Sequence, residues 1–310
     1  MVKLDRRRLL RHAAGAIPVS TALAAGMPGA ASLKHVVVID THLHCFAGRN
    51  PQFPYHARAP YRPDAEAGPE HLLKCMNGAD VDFAVVVHPE PYQDDHRYLE
   101  HCLRAGGSRL KGTCLFFADR PGSVDAMTPL VQRNPNQIIA ARIHAYAPNR
   151  LPPFGQPELR HLWKTAADLG LAVQLHFEPR YASGFEPLIE EFSQTTVIID
   201  HLGRPMQSTI REHDAIVRWS RFGNTVMKVS SLPDQNRYPH RDVQPVIRRL
   251  TSAFGADRMI YGGGFNTAAT GDTYRKYRLQ AAELLAHLST DDQSKVFGGT
   301  AANLFGFSAG

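Results

Sequence analysis

Short runs of β-branched and apolar residues recur along the chain from residue 36 onward. Each is bounded by turn residues and followed by a longer stretch whose apolar positions repeat at helical spacing. The runs cover residues 36–40, 81–88, 110–117, 138–144, 172–177, 197–201, 226–230 and 259–262. Their starts lie about 32 residues apart on average, the repeat of successive βα units. Eight such units predict a closed (β/α)8 TIM-like barrel of the α/β class, built as a single domain, with a doubly wound sheet as the alternative. Two of the intervening segments, 157–169 and 242–254, run into Gly170 and Gly255, residues that close helices. Residues 46–68 show no apolar period, and their length predicts an excursion after the first strand that lies over the barrel mouth.

Composition narrows this picture. With 43% hydrophobic and 21% charged residues the chain buries a large core, and no apolar run approaches the ~18 residues of a membrane span. The net charge of +6 suggests nucleic acid, yet Lys3, Arg6, Arg7, Arg8 and Arg11 against Asp5 concentrate +4 of it before residue 32. No nucleic-acid partner is expected. Arg6-Arg7-Arg8-Leu9-Leu10, a weakly apolar Ala-rich stretch and the small residues ending at Ala31 resemble a twin-arginine export signal. The expectation is therefore a signal over 1–31, a mature barrel over 32–310, a periplasmic location and no stable membrane association after the signal is removed. The four Cys form no C-x-x-C pair, and buried free thiols are expected more often than a disulfide.

The predicted strands finish in polar residues: Asp40-Thr41-His42-Leu43-His44, His88, Arg142-Ile143-His144, His176, Asp200-His201 and Lys228-Val229-Ser230. Barrel enzymes gather their active sites at the C-terminal ends of the strands, so these residues are expected to converge in one pocket. In His42-x-His44 the period of two puts both imidazoles on one side of an extended segment, where they can grip one cation, and His176 completes a three-nitrogen set. Such a set suits zinc and leaves a position open for an activated water. Taken singly, each His is more often a hydrogen-bonded structural residue than a ligand.

These segments, with Leu202-Gly203-Arg204-Pro205 and Asp257-Arg258-Met259-Ile260-Tyr261-Gly262, resemble the amidohydrolase-related (amidohydrolase 2) family. The likeness is strongest to its branch of TIM-barrel hydrolases that includes 2-pyrone-4,6-dicarboxylate lactonase-like and sulfomuconolactone hydrolase-like proteins. The resemblance implies a hydrolase that opens a carboxylated lactone or similar cyclic ester by attack of an activated water. It implies His42, His44 and His176 as ligands of one divalent metal, zinc first, and His201 as the residue that meets substrate or developing charge. Arg142 would face a small anionic substrate, with His144, Gly263, Gly264 and Asn266 around it.

The sequence departs from the family at the eighth strand, where Gly264 stands at the position of the Asp that takes the proton from water. A metal-free site is the corresponding alternative. Without that base a factor of ~10²–10⁴ is lost unless another group acts, and His201 is the first candidate, ahead of Glu178 and Asp272. Glu178 reads otherwise as a solvated loop carboxylate and Asp272 as a first-turn helix charge. Glycines 262–264 allow close backbone approach, with their N–H groups as candidate oxyanion donors and Asn266 as an added amide. A decarboxylase or hydratase using the same residues, and a catalytically degenerate binding protein, are the competing readings.

Overall fold

The computed structural model describes residues 36–147, 149–232 and 242–308. The export segment expected at 1–31 lies outside them. Eight parallel strands form one sheet in sequential order, β1 (Ile39–Leu43), β2 (Phe83–Val87), β3 (Leu110–Leu115), β4 (Ile138–Ala145), β5 (Ala172–Phe177), β6 (Val197–Ile199), β7 (Thr225–Val229) and β8 (Met259–Tyr261). Around them run α1 (Pro69–Ala79), α2 (Arg97–Gly106), α3 (Met127–Arg133), α4 (Pro157–Asp168), α5 (Glu186–Glu191), α6 (Ile210–Arg218), α7 (Gln244–Phe254) and α8 (Gly271–Leu284). Two short helices, α9 (Thr290–Ser294) and α10 (Thr300–Phe305), end the barrel. This is the expected (β/α)8 architecture. At the seam between β8 and β1, Thr41 Oγ1 donates to the Tyr261 carbonyl at 2.7 Å and the Gly263 amide donates to Asp40 Oδ1 at 2.7 Å.

Alternation along the strands builds the interior in layers. Ala140, Ala172, Ile198, Val226 and Ile260 form an apolar floor, plugged from below by Phe305 and Phe307. Two residues further along their strands, the same inward positions carry Arg142, Gln174, Asp200 and Lys228, all buried. Two further again come His144, His176 and Ser230, with His144 and His176 in direct register across β4 and β5. The period of two thus converts a strand-by-strand pattern into a charged layer beneath a ring of histidines.

The outer core, between sheet and helices, includes Trp163 and Trp219, both fully buried. Gly170 and Gly255 follow α4 and α7 at positive φ, as helix-closing residues do. The excursion after β1 carries no helix or strand; Phe46 and Ala67 bridge its ends, and Arg58 and Pro60 from it line a cavity of about 610 Å³ that also touches His144 at the barrel mouth. All four Cys are free and buried, and no helix among the described residues is long and apolar enough to cross a membrane.

Candidate active site at the barrel mouth

The histidines at the strand ends form a continuous arc. From β1 round to β4, ring centroids are 5.2 Å apart for His44 and His42, 4.5 Å for His42 and His201, 4.9 Å for His201 and His176, and 5.2 Å for His176 and His144. Burial disfavours the charged imidazolium at every one of them, holding His44 and His201 down at about 3 and His42 and His176 well below the usual histidine range. The arc is therefore neutral at pH 7, with its nitrogens available to accept or donate hydrogen bonds. His44 Nδ1 donates to the Val87 carbonyl at 2.7 Å, which turns its other nitrogen away from β2, and His201 Nδ1 shares a hydrogen bond with Ser230 Oγ at 2.8 Å.

Below the arc, Asp200 gathers the charged layer. Arg142 donates to its Oδ2 through Nε at 3.1 Å and Nη2 at 2.8 Å, and Lys228 Nζ lies 3.2 Å from Oδ1. The Gln174 amide reaches both oxygens at 3.0 and 2.9 Å, and His42 Nδ1 is 3.5 Å from Oδ1. Burial alone would raise the carboxyl, but Lys228 and Arg142 hold it well below the ordinary carboxylate range. Arg142, expected to face a substrate carboxylate, is thus committed to Asp200. The arginine that turns into the mouth is Arg204, which hydrogen-bonds Tyr146 Oη and lies 3.4 Å from His176 Nε2. Its approach depends on a left-handed run at His201, Leu202, Gly203 and Arg204, with φ values of 57, 58, 68 and 57°. Three non-glycine residues in that region are strained, a feature concentrated at functional sites.

The expected metal set is not the one the fold assembles. Among the described residues, His42, Asp200 and His201 bring ligand atoms within 4.8 Å of one another, whereas His44 and His176 stand outside that group. Two imidazoles and a carboxylate are suitable donors for a divalent cation. The Lys228 ammonium, however, already sits against Asp200 Oδ1 and lies 3.5 Å from His42 Nδ1, while Arg142 takes the other carboxylate oxygen. A divalent ion there would face two buried positive charges, so the residues as arranged do not fit it.

The glycine run has a clear structural reason. A Cβ on Gly262 would lie 2.7 Å from the His42 amide nitrogen, and Gly263 and Gly264 both adopt φ of 110°. Tyr274 and Tyr277 of α8 close over them, a Gly264 Cβ meeting Tyr274 Cδ2 at 2.9 Å. Gly263, Gly264 and Asn266 line a second cavity, of about 470 Å³, with His42, His44 and His201. Asp40 beneath it accepts from the His42 and Gly263 amides at 2.8 and 2.7 Å and from Tyr274 Oη at 2.5 Å, a fully paired and inaccessible carboxylate. Of the other candidate bases, Glu178 accepts from the Ala147 amide and pairs with Arg180, and Asp272 sits in the first turn of α8. The residues with no role assigned from the strand-end pattern were Asp40, Glu90, Gln174, Asp200 and Lys228. Asp40, Asp200 and Lys228 were marked as strand-end residues without a role, and only its place in the strand alternation could have marked Gln174.

A parallel eight-stranded barrel with titratable side chains packed at the C-terminal strand ends has the layout of a barrel enzyme. The chain belongs to the Amidohydrolase family, whose model matches residues 39–307. An L-fucono-1,5-lactonase of Burkholderia ambifaria is 27% identical over 296 residues, spanning 86% of this chain and 94% of that protein. A 2-pyrone-4,6-dicarboxylate hydrolase of Comamonas testosteroni is 26% identical over 245 residues, 72% of this chain and 75% of that protein. Among solved structures, an amidohydrolase of Burkholderia multivorans with bound zinc superposes with a TM-score of 0.69 at 16% identity, covering 88% of this chain and 100% of that one. Zinc thus occurs in barrels of this fold.

Proposed function

We propose that the protein hydrolyses a carboxylated lactone or similar cyclic ester at the barrel mouth. The observation that carries this reading is the neutral histidine arc, which runs from the cavity beside the glycine turn to the cavity under the long loop. Both relatives reported above are named for lactone opening, and an ester carbonyl set among imidazoles finds donors for its oxygen and acceptors for the water proton. His176 and His201 polarise the carbonyl, and Arg204 beside His176 meets the carboxylate of the substrate. The Asp200 layer holds the arc from below and supplies a fixed positive potential through Arg142 and Lys228. No step passes through a metal ion.

The test is turnover of 2-pyrone-4,6-dicarboxylate and L-fucono-1,5-lactone by wild type, His176→Ala and Arg204→Ala. Wild type opens a lactone, His176→Ala lowers kcat by about 10²-fold, and Arg204→Ala raises KM for the carboxylated substrate above all. Unchanged turnover by both variants removes the assignment. The residue 1–31 segment supports export by the twin-arginine route as a second part of the proposal, checked by fractionating cells that express the full chain.

A further inference from the structure

The two cavities at the ends of the histidine arc differ in the charges that line them. Glu90 and Asp119 stand among the arginines of the larger one, whereas the 470 Å³ cavity beside the glycine turn has no carboxylate among its described lining residues. Asp40, beneath it, is sealed off by the His42 and Gly263 amides and by Tyr274. His42, His44 and His201 line the cavity too, and burial keeps all three neutral at pH 7. That leaves Lys276 of α8, the only Lys or Arg among the described lining residues, exposed and without an ion pair among the described residues. Asp272, one turn earlier in the helix, is not paired with it either.

Helical spacing puts Thr273, Lys276, Tyr277 and Gln280 on one face of α8, and all four line the cavity. That face comes down on the turn: a Cβ on Gly263 would lie 3.1 Å from Tyr277 Oη, and one on Gly264 would lie 3.0 Å from Tyr277 Cβ. Bare glycines let α8 approach this closely and bring its polar face to the cavity. Asn266, also in the lining, accepts from the Ala268 amide at 2.8 Å through Oδ1, which leaves its NH2 group to donate elsewhere.

We propose that this cavity is a subsite for an oxyanion on the arm of the lactone beyond His201, and that Lys276 selects a charged arm over a hydroxylated one. The inference rests on the lactone reading. His201 lines this cavity and is one of the two histidines set against the carbonyl, so a substituent on the lactone ring reaches in here. Lys276 Nζ supplies the charge, the Asn266 and Gln280 amides supply further donors, and no described lining residue repels the anion. The subsite is separate from the contact at Arg204, which lies beside His176; neither residue lines this cavity.

The experiment measures binding by calorimetry with benzene-1,3-dicarboxylate and benzoate, rings of pyrone size that carry no ester bond. Wild type is expected to bind the dicarboxylate about tenfold more tightly than benzoate, a preference that shrinks with added salt. Lys276→Met and Asn266→Asp, the second placing a carboxylate beside Lys276, reduce the preference to within about threefold, while Lys276→Arg keeps it. Melting curves establish that each variant is folded. With 2-pyrone-4,6-dicarboxylate as substrate, Lys276→Met shows its loss in KM rather than in kcat. Equal affinity of wild type for the two ligands, binding of neither, or a Lys276→Met variant that keeps the preference overturns the subsite whatever the turnover. A preference lost in Lys276→Met, in a protein that opens neither lactone, removes the lactone reading and leaves the anion site in place.

Discussion

The two sides of the barrel mouth use the same residue types in opposite ways. Around Asp200, at the end of β6, Arg142 from β4, Gln174 from β5, Lys228 from β7 and His42 from β1 converge, so that both of its oxygens are occupied. On the β2 and β4 side, Glu90 lies 2.8 Å from His144 Nδ1 and 2.6 Å from Arg150 Nη1 beside a cavity, and neither ring nitrogen of His144 has a hydrogen-bond partner among the described residues. A closed set of buried charges holds geometry and potential but has no lone pair or proton to exchange. An incomplete one does. The contrast sets a saturated layer of buried charge that supports the histidine arc against an unsaturated pair of side chains beside the cavity.

The largest expected consequence is structural. Asp200→Asn leaves Arg142 and Lys228 buried without their counter-charge, and unfolding in urea should show a loss of about 3–5 kcal/mol. Glu90→Gln, whose partner Arg150 reaches solvent, should lose clearly less; equal losses would erase the distinction between the two sides.

Acid separates them further. His44 and His201 have folded values of about 3 against an ordinary 6.5, so the neutral forms favour folding above 6.5 and that stability drains as pH falls towards 3. Glu90, depressed to about 2 from 4.5, adds a second loss only below about 4.5. Melting temperature followed across that range should therefore decline in two stages, with His201→Asn weakening the first and Glu90→Gln the second.

The strand-eight turn gives the next effect. Gly264→Asp restores the carboxylate of the family pattern at a φ of 110° with Tyr274 2.9 Å from the new Cβ, and should cost about 1–3 kcal/mol without raising kcat. A gain in kcat would show that the family position is still functional. Lys228→Met removes the ammonium from beside His42 and Asp200, and equilibrium titration should find zinc bound about tenfold more tightly than by wild type. At the bottom of the scale, Arg49→Ala breaks an ion pair with Asp64 that both side chains make in solvent, and no change in melting temperature or turnover is expected.

The barrel itself was legible because alternation and βα spacing are local. Strands expected at 138–144 and 172–177 are found as Ile138–Ala145 and Ala172–Phe177, and the polar strand ends do converge. Arg142, His144 and Asp200 stood out as strand-end residues, but their pairings did not, and Glu90 did not stand out at all. Asp200 meets Arg142 across 58 positions, and Glu90 meets His144 from a turn after another strand, so both pairings depend on register rather than spacing. Arg204 had no role assigned from the sequence; the positive φ at His201, Leu202 and Gly203, which spacing alone does not reveal, brings it to the mouth. The glycine run was readable as permissive backbone, while its cause lies in Tyr274 and Tyr277, which reach it from α8.

The central claim, that this mouth opens a lactone by attack of water at its carbonyl, is tested most directly by running the reaction in ¹⁸O-water and analysing product and gas together. The account predicts a ring-opened hydroxy acid one water heavier than the substrate, with the label in the new carboxylate and no carbon dioxide released. Release of carbon dioxide, or label on a carbon other than the former ester carbonyl, would contradict it.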